Sequence, residues 1–446
     1  MSGWLDWELV HGPLPAVLTA LGAVAGATLL VSGFGRSNGR NPSRGVGRWV
    51  RVDRGWWLRV VPFVGGVSVL LTALIAWLVE DVWQPFPDAV PLRVVFWVGV
   101  GIFGLGLAIA GMRTRGWLRR GSVVLAVLLV VATATMKVNA FYGYYPSMRA
   151  ALGLPPANEI AFASLSTSVP PAATGQPPAV VPKQGAVTQV PIPSPKSKFP
   201  ASRNAYVYLP PAYQANPRPL LPVVVLLHGE PGGPVDWVNG GQIAAMMDRY
   251  AAAHKGMAPV VVMPDATGGP LSNPLCVDGK QGNSETYLAQ DVPDWIRHNL
   301  QIDPDPKRWA VGGYSYGGTC SLQLALRHPD VYPSFLNFSG QVEPTLGSRA
   351  RTVKEIFGGD EAAFHRNNPA DLLAARKFPG SAGVITVGAA DHEYMPQQRK
   401  VFDQCKHNGL DVRWLEVPGN HNWQGWAGGM EASLDWLATR LGLVKA

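Results

Sequence analysis

The sequence is poor in charged residues and in cysteine. Asp, Glu, Lys and Arg make up 15% of its 446 residues, and its three cysteines allow at most one intramolecular disulfide. It contains no set of residues at metal-ligand spacing, no phosphate-binding glycine loop and no internal repeat. Basic and aromatic residues do not alternate as they do on nucleic-acid-binding surfaces. We therefore expect no cofactor, no metal ion and no nucleic-acid partner.

The net charge of +8 belongs to the first third of the chain. Residues 1–150 hold 14 Lys and Arg against 6 Asp and Glu, whereas residues 151–446 hold 24 of each. The first 150 residues also contain four apolar runs, at 14–34, 60–79, 94–112 and 122–136. Each run is close to the ~20 residues that cross ~30 Å of hydrocarbon, although the fourth is short. Residues 1–150 are therefore predicted to form four transmembrane helices.

The arginines between these runs predict the orientation in the membrane. The basic residues between the first and second runs, and between the third and fourth, are Arg36, Arg40, Arg44, Arg48, Arg51, Arg54, Arg59, Arg113, Arg115, Arg119 and Arg120. The segment before the first run carries Asp6 and Glu8 and no Lys or Arg. Because basic loops stay in the cytoplasm, we expect the N-terminus and everything after the fourth run to lie outside a cell membrane.

Residues 151–200 contain eleven prolines and few charged residues. This composition predicts an extended, partly polyproline spacer, although residues 186–192 at its end fit a first β-strand. After residue 200, short apolar runs alternate with helical patterns. Residues 201–446 are therefore predicted to form an α/β domain with a mostly parallel sheet flanked by helices.

The stretch Gly313-Tyr314-Ser315-Tyr316-Gly317 carries the strongest functional signal. A short apolar run precedes it at 308–312, and a helical pattern ending at a proline follows it at 318–329. Gly-x-Ser-x-Gly alone is a weak motif, but strand, sharp turn and helix together form the nucleophile elbow of an α/β-hydrolase. We predict Ser315 as the nucleophile and the backbone N–H of Tyr316 as one oxyanion donor.

A nucleophilic serine needs a base and an orienting acid, which follow it in that fold in the order acid, then histidine. Asp391 follows a predicted strand at 383–388, and Glu393 on the same loop is the alternative acid. His421 follows the last predicted strand, at 412–417, and precedes a terminal helix predicted at 431–443. His392 and His407 are weaker candidates because one adjoins the acid and the other lies in a predicted helix.

The second oxyanion donor is expected on the loop that follows the predicted strand at 221–227. That loop reads His228-Gly229-Glu230-Pro231-Gly232-Gly233. Since Pro231 has no N–H, the donor is predicted to be Glu230, with Gly232 as the alternative.

The remaining polar and sulfur-containing residues of interest lie outside the predicted triad. Asp265 and Asp278 are interpreted as solvated loop residues. Pairing of Cys276 with Cys320 stays open, because a sequence does not place their Cα atoms. Cys405 is interpreted as a small buried apolar residue in a helix.

From about residue 199 onwards the chain resembles the putative-esterase family, the esterase D and mycolyltransferase-like branch of the α/β-hydrolases. The motifs that carry the resemblance are 207–213, His228-Gly229, Asp236-Trp237, 285–288, the turn at Ser315, 338–340, and 421–423 with Trp426. The resemblance implies an α/β-hydrolase fold and serine-dependent ester chemistry. Mycolyltransferase members use a Glu acid, whereas this loop offers Asp391 first, which favours the esterase side.

The sequence thus predicts a membrane-anchored serine esterase whose active site lies outside the cell membrane. Candidate substrates are carboxylic esters, including esters of envelope lipids and aminoacyl-lipid esters. One alternative is acyl transfer to a sugar or lipid acceptor through the same acyl-Ser315 intermediate. Another is a non-catalytic binding protein that keeps a hydrolase fold.

Overall fold

A computed structural model describes residues 3–31, 54–84, 89–112, 117–165, 169–171, 178 and 180–444. Arg36, Arg40, Arg44, Arg48, Arg51, Arg113 and Arg115, on which much of the predicted orientation depends, lie outside the described residues. The chain divides into two compact units, Met1–Ala151 and Leu152–Ala446.

The first unit is built from four long helices. They are α1 (Pro13–Val31), α2 (Val61–Trp77, extended by π-helical turns Trp56–Val60 and Leu78–Trp83), α3 (Leu92–Met112) and α4 (Trp117–Tyr142). A short helix, α5 (Met148–Ala151), follows. The stretches Pro13–Val31, Trp56–Trp83, Leu92–Met112 and Arg120–Tyr142 are long and apolar enough to cross a membrane.

Small residues let these helices approach closely. Helix α4 packs against both α1 and α3, and α2 packs against α3. A Cβ atom on Gly22 would lie 2.1 Å from Thr133 Oγ1, and one on Gly104 would lie 2.8 Å from Val130 Cγ1. The Thr133 hydroxyl lies within hydrogen-bond distance of the Leu18 carbonyl of the neighbouring helix, at 3.0 Å. Such contacts are typical of helices that associate within a bilayer.

The chain start is hydrogen-bonded to the segment that follows α4. The Leu9 N–H donates to the Pro146 carbonyl at 2.9 Å, and the Met148 N–H donates to the Trp7 carbonyl at 3.1 Å. Asp6 and Arg149 form an ion pair at 3.5 Å. The N-terminal segment and the chain leaving α4 are therefore at the same end of the four-helix unit.

The second unit contains an eight-stranded sheet. Its strands are β1 (Ala186–Val190), β2 (Ala205–Leu209), β3 (Val223–Leu227), β4 (Val260–Met263), β7 (Trp309–Tyr314), β8 (Ser334–Phe338), β9 (Ala382–Gly388) and β10 (Asp411–Val417), while β5 (Asp278–Gly279) and β6 (Gly282–Asn283) form a separate pair. The order across the sheet is β1-β2-β4-β3-β7-β8-β9-β10. The β1–β2 and β2–β4 pairs are antiparallel and the other pairs are parallel.

Helices surround this sheet. They are α6 (Asp236–Asn239), α7 (Ile243–Ala253), α8 (Ser284–Thr286, continued by a π-helical turn Tyr287–Asp291), α9 (Val292–Asn299), α10 (Tyr316–Arg327), α11 (Arg349–Glu355), α12 (Glu361–Asn367), α13 (Pro369–Ala375), α14 (Tyr394–Asn408) and α15 (Trp423–Arg440). Every residue of β3, β7, β8 and β9 is buried, so both faces of the central sheet are covered. The predicted mostly parallel sheet flanked by helices is confirmed.

The sheet begins within the segment predicted as a spacer. Strand β1 lies inside residues 151–200, and the Ile160 N–H donates to the Val187 carbonyl at 2.8 Å. Further along, the Arg218 N–H donates to the Pro170 carbonyl at 3.0 Å. The prolines of this segment disfavour regular helices and strands, but a proline carbonyl still accepts hydrogen bonds. These parts of the segment therefore lie against the second unit instead of forming a separate extended chain.

The last helix starts earlier than the sequence pattern predicts. Helix α15 begins at Trp423 rather than at residue 431. The Asn422 side chain caps it by accepting a hydrogen bond from the Gly425 N–H at 3.2 Å. Glycines at 425, 428 and 429 lower the helix propensity of the first turns. The sequence pattern therefore predicts a later start for this helix than the structure has.

Candidate active site

Ser315 lies at the tight turn between β7 and α10. Its φ of 53° is in the left-handed region, which is strained for a residue with a side chain. A Cβ atom on Gly313 would lie 2.5 Å from backbone atoms of Gly317, and one on Gly317 would lie 2.5 Å from the Leu227 carbonyl oxygen. Only glycine fits at either position, so the motif is required by the geometry of the turn.

Three predicted residues meet at the carboxyl ends of β7, β9 and β10. His421 Nε2 lies 3.0 Å from Ser315 Oγ, and His421 Nδ1 lies 3.0 Å from Asp391 Oδ2. With its proton on Nδ1, the imidazole donates to the Asp391 carboxylate and accepts from the Ser315 hydroxyl. This is the arrangement in which a serine hydroxyl is made nucleophilic.

Backbone hydrogen bonds join the loops that carry the acid and the histidine. The Ala389 N–H donates to the Val417 carbonyl at 2.7 Å, and the Ala390 N–H donates to the Gly419 carbonyl at 2.9 Å. Asp391 is 4% exposed, and its Oδ1 accepts from the Tyr394 N–H at 3.2 Å. Glu393, the alternative acid, is exposed on the surface at the start of α14. The carboxylate that contacts the histidine is therefore that of Asp391.

The weaker histidine candidates lie elsewhere. His392 is exposed on the acid loop, and His407 lies near the end of α14.

Tyr316 and Glu230 occupy the two loops predicted to supply oxyanion donors. Tyr316 is the first residue of α10, so its N–H is one of the first-turn donors that have no acceptor within the helix. Glu230 lies on the loop after β3 with a buried side chain, and its carboxylate accepts from Asn273 Nδ2 at 3.3 Å.

Two side chains hold the 228–233 loop in place. The Arg203 guanidinium donates to the Gly232 carbonyl. The Asp236 carboxylate accepts from the Gly233 N–H at 2.8 Å and from the Tyr314 hydroxyl at 2.8 Å. The two side chains therefore bind the carbonyl and the N–H of one peptide group, that between Gly232 and Gly233, and fix the loop at this point.

Asp265 is fully buried, so its interpretation as a solvated residue is wrong. Its carboxylate pairs with Arg203 and accepts from the Ser202 and Gly268 N–H groups at 3.1 and 2.9 Å. Burial alone raises the pKa of this carboxyl, but hydrogen bonds and charges from His228 and Arg203 outweigh it and lower the pKa from its ordinary value. The sequence contains no local sign of this pair, because Arg203 and Asp265 come from distant segments.

A family model described as putative esterase matches residues 197–437, more than half of the chain. The chain belongs to this esterase family. The resemblance identified from the sequence motifs is confirmed, and membership supports carboxylic ester hydrolysis or acyl transfer in general.

Two individual proteins with similar sequences cover different shares of the chain. An uncharacterized protein of Corynebacterium glutamicum is 38% identical over 379 residues, which cover 82% of this chain and 87% of that protein. This coverage exceeds the share of the chain in the second unit, so the similarity reaches into the four-helix unit. An acetyl esterase of Caldicellulosiruptor saccharolyticus is 21% identical over 232 residues, 49% of this chain and 84% of that protein.

A solved ferulic acid esterase has the same fold. It superposes with a TM-score of 0.50 at 19% identity, covering 58% of this chain and 99% of its own. The fold of the second unit is therefore that of an α/β-hydrolase.

Aromatic side chains pack against His421. The Tyr394 ring stacks on the His421 imidazole with 3.8 Å between centroids and 18° between planes. Trp426 meets the same imidazole edge-on at 5.0 Å, and Tyr314 stacks on Trp426 at 4.3 Å. Tyr394 was not predicted from the sequence. The sequence shows only that Tyr394 lies three residues after Asp391. Its contact with His421 forms because the fold brings the two loops together.

A disulfide joins Cys276 and Cys320, whose Cα atoms are 5.6 Å apart. It links the loop after β4 to α10, the helix that follows Ser315. The Cys276 N–H also donates to the Tyr316 hydroxyl at 3.1 Å, so this loop contacts α10 at two points. Cys405 is buried in α14 as expected, and burial raises the pKa of its thiol to about 12.

No group of three or more His, Cys, Asp or Glu side chains that could hold a metal ion occurs in the part of the chain that the structure describes.

Proposed function

We propose that the second unit is a serine esterase with Ser315, His421 and Asp391 as its catalytic triad. The observation that carries the proposal is the pair of 3.0 Å contacts that connect these three side chains. Ser315 Oγ attacks the ester carbonyl while His421 Nε2 takes the hydroxyl proton. The same nitrogen returns the proton to the alcohol as the carbon–oxygen bond of the ester breaks. Water then attacks the acyl-serine by the same route, releasing the acid and free Ser315.

The negative charge of the tetrahedral intermediate requires donors on the side of the carbonyl oxygen. We assign these to the backbone N–H of Tyr316 and that of Glu230, with Gly232 as the alternative on the second loop. Each such donor contributes roughly 3–4 kcal/mol to transition-state stabilisation in comparable enzymes. The contacts of Arg203 and Asp236 with this loop support a fixed position for the second donor.

We further propose that the first unit anchors the enzyme in a cell membrane with the esterase unit outside. The four long apolar helices support the anchor. The contacts between the N-terminal segment and the chain after α4 support an even number of crossings. The Cys276–Cys320 disulfide supports an oxidising compartment outside the cytoplasm. An enzyme held at the membrane surface meets lipid esters at high local concentration, so we propose esters of envelope lipids, including aminoacyl-lipid esters, as its substrates.

One labelling experiment tests both the chemistry and the orientation. A charged fluorophosphonate that does not cross membranes is added to intact cells that express the full chain, and to the same cells after permeabilisation. We expect equal labelling of Ser315 in both samples, because the nucleophile is activated and outside. Labelling only after permeabilisation would overturn the orientation alone, and no labelling in either sample would overturn the serine mechanism.

Tyr394 is expected to support turnover by stacking on the imidazolium that forms during the reaction. A cation against an aromatic face is stabilised by about 0.5–2 kcal/mol, which corresponds to a roughly 2- to 30-fold effect on rate. We expect Tyr394→Leu to lower kcat by a factor in this range with little change in KM. Steady-state kinetics on a short p-nitrophenyl ester provide the measurement.

The matched control is Tyr394→Phe, which retains the aromatic face and is expected to retain most of the activity. Equal losses in the Phe and Leu variants would argue against a role for the stacked ring.

A further inference from the structure

The first unit contains a groove between α1 and α3. Its volume is about 290 Å³. Gly22 and Gly26 lie on its α1 wall, Trp97 and Phe103 lie on its α3 wall, and Val130 and Thr133 of α4 form the floor. The groove lies where α4 packs against both α1 and α3. Gly26 on α1 leaves open space there, because a Cβ atom at this position would meet no heavy atom within 4 Å.

The chemistry of the walls is that of hydrocarbon. None of the described residues that line the groove is charged, and their polar side-chain groups are the hydroxyls of Thr19 and Thr133 and the indole N–H of Trp97. The Thr19 hydroxyl donates to the Pro15 carbonyl at 2.7 Å. The Thr133 hydroxyl donates to the Leu129 carbonyl at 2.8 Å and also lies within hydrogen-bond distance of the Leu18 carbonyl. Both hydroxyl protons are therefore engaged by backbone, and the groove suits an apolar ligand.

The shape of the groove is long and open on one side. Its lining along α1 runs from Thr19 to Leu30, which at 1.5 Å per residue is about 16 Å. This length is about half of a ~30 Å hydrocarbon core, the depth of one leaflet. Gly22 and Leu29 at the bottom are buried, whereas Ala23 at the rim is exposed. The opening therefore faces sideways, toward the surroundings of the helix bundle.

We propose that this groove binds one acyl chain of a bilayer lipid, which enters between α1 and α3. The inference rests on the proposed membrane location of the first unit, although not on the proposed esterase chemistry. Within a bilayer, linear hydrocarbon chains are the apolar molecules at hand, and the apolar walls, the leaflet-deep length and the lateral opening all match one such chain. Its source is the bulk phospholipid of the bilayer that surrounds the four helices; the acyl chain of an ester substrate is the alternative that the kinetics below test.

Photolabelling of the full chain tests the groove directly. The protein is inserted into vesicles of phosphatidylglycerol and phosphatidylethanolamine that contain a phospholipid with a diazirine midway along one acyl chain. After illumination, labelled peptides are mapped by mass spectrometry. We expect labelling of the groove walls, at Trp97 and Phe103 above all, to exceed labelling of outward-facing positions such as Leu70 of α2, which is 70% exposed.

Gly26→Leu places a side chain inside the groove. A Cβ atom on Gly26 meets no other heavy atom within 4 Å, so the new side chain starts in open space. We expect groove labelling to fall at least fivefold. Gly66→Leu is the matched control, because a Cβ on Gly66 of α2 also meets no heavy atom within 4 Å and lies outside the groove. It is expected to label like the wild type.

A second variant, Val100→Phe, fills the groove from the α3 wall. It replaces Gly26→Leu in the labelling experiment if that variant does not accumulate in the membrane. Unchanged groove labelling in a correctly inserted filling variant would overturn the proposal. Labelling spread evenly over the outward faces of all four helices in the wild type would also overturn it.

Kinetics on two esters separate the sources of the chain. p-Nitrophenyl acetate is too short to reach into a groove, so the wild type and the filling variants are expected to hydrolyse it equally well. Because bulk phospholipid supplies the chain, Gly26→Leu is expected to leave hydrolysis of p-nitrophenyl palmitate in vesicles unchanged while groove labelling is lost. A several-fold fall in kcat/KM for this ester would overturn the phospholipid source. A wild-type protein that hydrolyses neither ester would contradict the proposed esterase function. The labelling result would still test the groove, because it does not depend on ester hydrolysis.

Discussion

Ser315→Ala is expected to lower kcat for ester hydrolysis by roughly a million-fold, to the level that oxyanion donors and substrate binding alone support. The physical reason is that the 3.0 Å contact between Ser315 Oγ and His421 Nε2 provides the activated nucleophile, and alanine has no group that can attack the carbonyl. The measurement is release of p-nitrophenol from a short ester by the purified full chain.

Ser321→Ala is the matched control for this experiment. The Ser321 hydroxyl is also buried in α10, within hydrogen-bond distance of the Gly318 and Leu336 carbonyls, at 2.7 and 2.8 Å. Its loss is expected to cost about 1 kcal/mol of stability and to leave the rate largely unchanged. Retention of substantial activity by a folded Ser315→Ala variant would refute the assignment of the nucleophile.

Asp391→Asn is expected to lower kcat by roughly 10⁴-fold while the protein stays folded. The carboxylate accepts the Nδ1 proton of His421, which leaves Nε2 free to accept the serine proton. An amide NH₂ at this position favours the opposite tautomer, in which Nε2 carries the proton and no longer acts as a base. Steady-state kinetics, with circular dichroism as the check on folding, provide the measurement.

Glu393→Gln tests the same loop without touching the triad. Glu393 is exposed and lies two residues from Asp391, so its neutralisation is expected to change kcat less than twofold. If Glu393→Gln caused the large loss and Asp391→Asn did not, the acid of the triad would have to be reassigned.

The tight turn at Ser315 between strand and helix was predictable from the sequence because its determinants are local. A Cβ atom at Gly313 or Gly317 would overlap backbone only 2.5 Å away, so the turn demands these glycines and displays them in five consecutive residues. The apolar runs of the first 150 residues are equally local, since length and composition alone decide whether a helix can cross a membrane. The fourth run was underestimated, because Lys137 and Asn139 extend α4 to Tyr142 without continuing the apolar pattern.

The pairing of distant segments decided what the sequence left open. Asp391 and Glu393 are both carboxylates on one loop, and only the approach of the His421 loop, fixed through the Val417 and Gly419 carbonyls, selected the first. The pairing of Cys276 with Cys320 across 44 residues also required their Cα atoms to be placed.

The sequence by itself determined the four apolar helices, the order of strands and helices in the second unit, and the loops that carry the proposed triad residues. Each of these follows from spacing, steric demand or composition within a short stretch of chain. The tertiary structure alone decided that Asp265 is buried against Arg203, that Tyr394 stacks on His421, and that a groove lies between α1 and α3. These contacts join residues far apart in the chain, and their partners are defined only when the helices and the sheet pack together.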